Sequence, residues 1–274
     1  MNIEGAALAT TLSNVLVAPF VIIYVLRSKK MPFKLEFKNI IRVKWNLYKK
    51  VIKLGIPAGL ESSLWNIGNL IVISYLNLVD IMAAGIYSLI FSLEIFPVII
   101  YMGIARASMT LVGHKIGEDD HRQAVNIGFK CMAYSLAVCI LISIVFTLFP
   151  NELLSVFTND KSIIEQTAPF LLIVSITMFP RAVNNVVGLS IQGMGDTKWM
   201  LYGQIFGTII MVGLSYFLIF VADFGILGLF ITFLIDEAIR ALINVLRFWK
   251  GREIFFMKPF EKIVTKNTSV EEAV

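Results

Sequence analysis

MAAGIYSLIFSLEIFPVIIYMGIARA, residues 82–107, is long and apolar enough to cross a bilayer as one helix, and it carries a carboxylate, Glu94, near its middle. About 20 such residues cover the roughly 30 Å of hydrocarbon in a membrane. Runs of the same kind recur at about 5–26, 54–79, 126–149, 167–191, 200–222 and 226–246. They predict an all-α integral membrane protein with about seven transmembrane helices. The composition of the 274 residues agrees: 57% are hydrophobic and 16% charged, against roughly a quarter charged in soluble domains. Secreted, fibrous and disordered classes are thereby excluded. Cys131 and Cys139 lie in a single apolar run, which supports neither a disulfide framework nor a thiolate metal site.

The net charge of +5 is a topology signal rather than a nucleic-acid footprint. Seven alternating spans place nearly every Lys and Arg on one side, in the 27–53 connector, the 108–125 loop, the 193–199 turn and the tail after 246. The opposite side keeps Lys161 and the acids Glu152, Asp160 and Glu165. By the positive-inside rule the connector and the C-terminus are cytoplasmic and the chain starts outside. The connector mixes basic residues with Phe33, Phe37 and Trp45, the composition of an amphipathic segment lying at the headgroups. Seven spans starting outside, together with Gly5, Leu26 and Arg27 matching Gly225, Leu246 and Arg247 at one offset, suggest that the first helix closes one repeat and the other six form a second.

Six ionisable residues stand out within the spans: Glu61, Glu94, Arg181, Asp236, Glu237 and Arg240. Each costs about 2.5–3.5 kcal/mol at a bilayer centre unless it finds a partner or water. Asp236 and Arg240 stand one turn apart and can neutralise each other, and Glu237 has the other favourable spacing to Arg240. Thr232, Asp236, Arg240 and Asn244 form a stripe that must face protein or water. Glu61, Ser62, Asn66, Asn69 and Asn77 share one broad arc, on which Glu61 has no basic neighbour in its own helix. A carboxylate in that setting suits a proton or cation site; the structural alternative is a protonated Glu bonded across a helix interface. Thr177, Arg181, Asn184, Asn185, Gly188 and Gln192 form a third stripe, a cavity wall or polar glue between helices. Arg181 is a candidate counter-ion for Glu61, Glu94 or Asp236, and Tyr87 and Tyr101 share a face with Glu94. Pro19, Pro97, Pro169 and Pro180 interrupt spans and mark bends. His114 and His121 lack zinc spacing, and no motif calls for a cofactor or for ATP-driven transport.

ARASMTLVGHKIGEDDHRQA, residues 105–124, and GLSIQGMGDTKWM, residues 188–200, resemble signatures of the MATE (multidrug and toxin extrusion) family of antiporters. The first pairs small residues (Ala105, Ala107, Ser108, Gly113), which allow close packing; the second puts Gly193, Gly195 and Asp196 in a tight turn. GIPAGLESSLW around Glu61 and GAALATTLS at 5–13 resemble the family's seventh and sixth helices. The resemblance implies a twelve-helix, inverted-V antiporter of the plasma or inner membrane, which exports organic, usually cationic, compounds in exchange for protons or sodium. Residues 1–26 would be the last helix of a first lobe, 27–53 a cytoplasmic connector, 54–249 the second six-helix lobe and 250–274 a cytoplasmic tail. The rest of the first lobe would come from a longer chain or a separate polypeptide. By motif, Glu61 matches the family's seventh-helix acid. The candidate ion and substrate residues are Glu61, Asn66, Asn69, Glu94, Arg181, Asn184, Asn185, Asp236 and Arg240. Two rivals stay open: a lipid or polyprenyl-phosphate flippase of the same superfamily, and a non-transporting module that needs a separate first lobe.

Overall fold

A computed structural model describes residues 3–27, 45–79 and 81–254. The chain divides into two compact units, Met1–Ile52 and Lys53–Val274. In the first lies α1, Ile3–Arg27, with Pro19 inside it. The helices that follow are α2 (Trp45–Val79), α3 (Ile81–Gly117), α4 (His121–Leu148), the single-turn α5 (Pro150–Ser155), α6 (Lys161–Gly193), α7 (Thr197–Tyr216) and α8 (Gly225–Ile254). A π-helical turn, Phe217–Val221, extends α7. No strand occurs among the described residues.

Five of the expected runs form helices long and apolar enough to cross a membrane: Val51–Val79, Met82–Gly117, His121–Leu148, Lys161–Gly193 and Thr197–Val221. The first and last runs are also helical, with a difference. The apolar part of α1 among the described residues is Thr11–Tyr24, and α8 packs Asp236, Glu237 and Arg240 into little more than one turn. Two boundaries move. Residues 45–53, expected in the connector, are the first turns of α2, and residues 250–254, expected in the tail, complete α8. Residues 28–44 of the connector and 255–274 of the tail lie outside the described residues.

The helix ends follow from capping chemistry. Asp120 accepts the Gln123 N–H at the start of α4 (3.0 Å), Asp160 accepts that of Ser162 at the start of α6 (2.9 Å), and Asp196 caps α7 through Trp199 N–H (3.4 Å). Gly195, at φ +90°, makes the tight turn between α6 and α7 that a side chain would strain. With 37 residues α3 is about 55 Å long, well beyond the hydrocarbon thickness.

Among the helices of the second unit, α6 is central and packs against α3, α4, α7 and α8. Tyr101 and Ile90 of α3, Leu171 and Met178 of α6 and Leu229 of α8 form the fully buried core. The outward faces are apolar instead of polar: Leu78, Leu141, Phe206 and Ile209 are each more than 60% exposed, the pattern expected where lipid is the solvent. Small residues allow α3 and α6 to approach closely. A Cβ on Gly193 would strike the Met109 carbonyl oxygen, and Ser108 and Ser190 are hydrogen-bonded at 2.7 Å in the buried seam. Ala105 is buried in that seam, whereas Ala107 faces outward.

Candidate ion and substrate cavity

The polar stripes of α2, α6 and α8, with parts of α3 and α7, enclose an open cavity of about 690 Å³. All nine candidate residues line it, from Glu61 on α2 to Arg240 on α8. Three members of the predicted stripes do not. Asn77 lies beyond the cavity and is exposed, and Thr177 and Thr232 are buried, their hydroxyls donating to the Ile173 and Gly228 carbonyls. The wall between the charges is aromatic and thioether-rich, with Trp65, Tyr87, Phe91, Phe233, Met102 and Met211. Such a surface accepts apolar bodies of varied shape.

Charge is distributed unevenly around this wall. Arg181 of α6 donates to Glu94 of α3 through Nη1 (2.7 Å) and to Glu237 of α8 through Nε (3.1 Å). The side chains of all three are less than one fifth exposed. Asn184 donates to the other oxygen of Glu237 (2.8 Å), accepts from Asn244 (2.8 Å), and Asn244 accepts from the Trp199 indole (3.1 Å). The Arg181 guanidinium also lies over the Phe233 ring, 6.0 Å from its centroid. One guanidinium thus ties three helices together, in the low-dielectric setting where charge-assisted bonds are strongest.

Arg240 behaves differently. Its Nε donates to both oxygens of Asp236 one turn away (2.9 Å each), and its Nη1 donates to Gln204 on α7 (2.6 Å). Gly207 of α7 makes room for it, because a Cβ there would collide with the guanidinium. Near the α6–α7 turn, Arg247 pairs with Asp196 (2.8 Å) and lies 4.7 Å over the Trp199 ring. The helix pairing expected between Asp236 and Arg240 is present. Glu237 does not pair with Arg240, as its spacing allowed, but with Arg181, because its position on α8 turns it toward α6. Of the three counter-ion options for Arg181, Glu94 is the one the geometry selects.

Glu61 stands apart. Among the described residues it makes no ion pair; its Oε2 accepts a hydrogen bond from Gln192 of α6 at 2.6 Å. Ser62 and Asn66 beside it are exposed and return their own hydrogen bonds to the α2 backbone. The cavity side of α2 is therefore open around this carboxylate. Four carboxylates, Glu61, Glu94, Asp236 and Glu237, face three guanidiniums, Arg106, Arg181 and Arg240, so the cavity lining carries one more acid than base. Gln204 and Trp199 were not singled out from sequence. The available signal for Gln204 was its isolation, since it is a lone amide in an otherwise apolar stretch of α7.

Comparison with known proteins places this architecture. The chain is 25% identical over 256 residues to "Uncharacterized transporter YisQ" of Bacillus subtilis, an alignment covering 92% of this chain and 55% of that protein. It is 29% identical to "Multidrug export protein MepA" of Staphylococcus saprophyticus, over 90% of this chain and 53% of that one. The chain spans about half the length of the curated relatives it matches. Its fold is similar to that of a MOP superfamily transporter from Pyrococcus furiosus, with a TM-score of 0.69 and 18% identity over 79% of this chain and 49% of that one. The MatE family model matches residues 57–217, more than half of the sequence and the helices that carry Glu61, Glu94 and Arg181. A bundle of membrane-length helices around an acidic cavity, matched in sequence and in fold, is thus a multi-pass membrane protein of the MATE transporter family.

Proposed function

We propose that this chain forms one half of a secondary antiporter that exports organic, predominantly cationic, compounds in exchange for protons or sodium ions. Glu61 carries this reading: it is a cavity carboxylate without an ionic partner, held by one neutral amide. A carboxylate so placed can hold a proton or a cation in turn with a cationic substrate, because no guanidinium is ion-paired with it among the described residues. The excess of acid favours positively charged cargo over the phosphate headgroup that a flippase would bind, and the aromatic and thioether wall suits its apolar body. The multidrug export relatives support the same class of activity. The other half of the transport path comes from a matching lobe, on the same polypeptide or a separate one, as repeat-built transporters require. In this reading the α6–α7 turn, with Lys198 in it and Arg247 of α8 beside it, faces the cytoplasm of a cell-membrane protein.

Glu61→Gln in the full-length protein, assayed by efflux of a cationic dye from energised cells, should lower coupled export at least about tenfold, the effect of removing a group used in each cycle. Undiminished efflux at equal membrane abundance would reject the assignment. Collapsing the pH gradient and the sodium gradient separately in the unaltered protein identifies the coupling ion.

A further inference from the structure

Glu94 and Glu237 reach the cavity from different helices, α3 and α8, and the positive charge between them comes from a third, α6. Remove that charge in thought, and two carboxylates remain on a membrane cavity wall with one neutral donor, Asn184, bonded to Glu237. Two like charges in such a place are relieved by a proton on one of them or by a cation between them, and the cavity gives a small ion access to both. Asp236 needs no such relief, because Arg240 of its own helix satisfies both its oxygens. We propose that Arg181 is a tethered cation: its guanidinium permanently fills a cation site that Glu94 and Glu237 would otherwise offer to a free ion, leaving Glu61 as the carboxylate open to exchange. The last clause rests on the function proposed above; the masked cation site does not.

The occupant expected once Arg181 is cut back is a small cation. Sodium can bridge two carboxylates as a point charge, and methylguanidinium reproduces the planar donor fork that Arg181 presents. A bulky quaternary ammonium such as choline has no N–H to donate and serves as the ionic-strength control.

The test uses the purified full-length protein carrying Glu61→Gln, so that ion binding at Glu61 cannot contribute. Thermal unfolding is followed in choline, sodium and methylguanidinium chlorides, with and without Arg181→Ala. With Arg181 present, the melting temperature should be the same in all three salts. With Arg181→Ala, it should rise by about 5 °C when sodium or methylguanidinium reaches about 100 times its dissociation constant. Adding Glu94→Gln to Arg181→Ala should abolish the response. If Arg181→Ala unfolds in choline, its recovery in sodium or methylguanidinium is the same response in stronger form. Equal stability in all three salts, or failure to recover a folded protein in any of them, overturns the proposal. Because the readout is stability and not export, retained efflux in Glu61→Gln would reject the coupling role of Glu61 and leave the masked site standing.

Discussion

The two sides of the cavity solve the problem of charge in a membrane in opposite ways. On the α3–α6–α8 side, Arg181 is shared by two acids and backed by a chain of amides that ends at Trp199. On the α2 side, Glu61 holds to its surroundings through the Gln192 amide. The first arrangement is saturated and rigid, since each member would be left with a buried, unpaired group if its neighbour moved. The second can change its proton or its cation at small structural cost. A transporter needs both: helices held in register across the membrane, and one group whose charge is allowed to vary.

The contrast breaks most visibly if stability is compared on the two sides. Arg181→Ala measured in choline should lose about 3–5 kcal/mol, because it strands two acids in a poorly solvated wall. Glu61→Gln should change stability by less than about 1 kcal/mol, because Gln keeps an acceptor for the Gln192 amide. Thermal unfolding in detergent reads both, and equal losses would mean that Glu61 is as firmly fixed as Arg181. Between these extremes lies Gly207→Leu, which drives a side chain into the Arg240 guanidinium. It should cost about 1–3 kcal/mol by overpacking while leaving the Arg181 bridge in place.

The same two sides differ in how much of them sequence could reveal. Helices were legible because apolar runs of membrane length have few alternative uses; their true ends were not. The apolar run reads to Ala107, whereas α3 continues to Gly117, because a helix leaving the membrane needs no apolar surface. The Asp236–Arg240 pair was legible because both partners are four residues apart on one helix. The partners of Arg181 were not, being 87 and 56 residues away, so that packing alone chooses among several acids. Glu237 illustrates the limit: local spacing offered it Arg240, and the α6–α8 interface gave it Arg181. The solitude of Glu61 within its own helix was visible from spacing; that no other described helix supplies it with an ion pair became visible only in three dimensions.

The smallest expected effect is the most specific to the saturated side. The Trp199 indole can only donate and an ionised Glu237 can only accept, so the two amides between them have a single consistent orientation: Trp199 to Asn244, Asn244 to Asn184, Asn184 to Glu237. Trp199→Phe removes the first donor while keeping a ring for Arg247 to lie over, and should cost about 1 kcal/mol. If the chain acts as a unit, that loss is coupled to Asn184→Ala by at least about 0.5 kcal/mol in a double-mutant cycle. Paired with Glu61→Gln, which lies outside the chain, the same substitution should be additive. Coupling to Glu61→Gln of the same size would join the two sides of the cavity into one network, and the Glu61 carboxylate could then not change its charge without disturbing the helices that Arg181 holds.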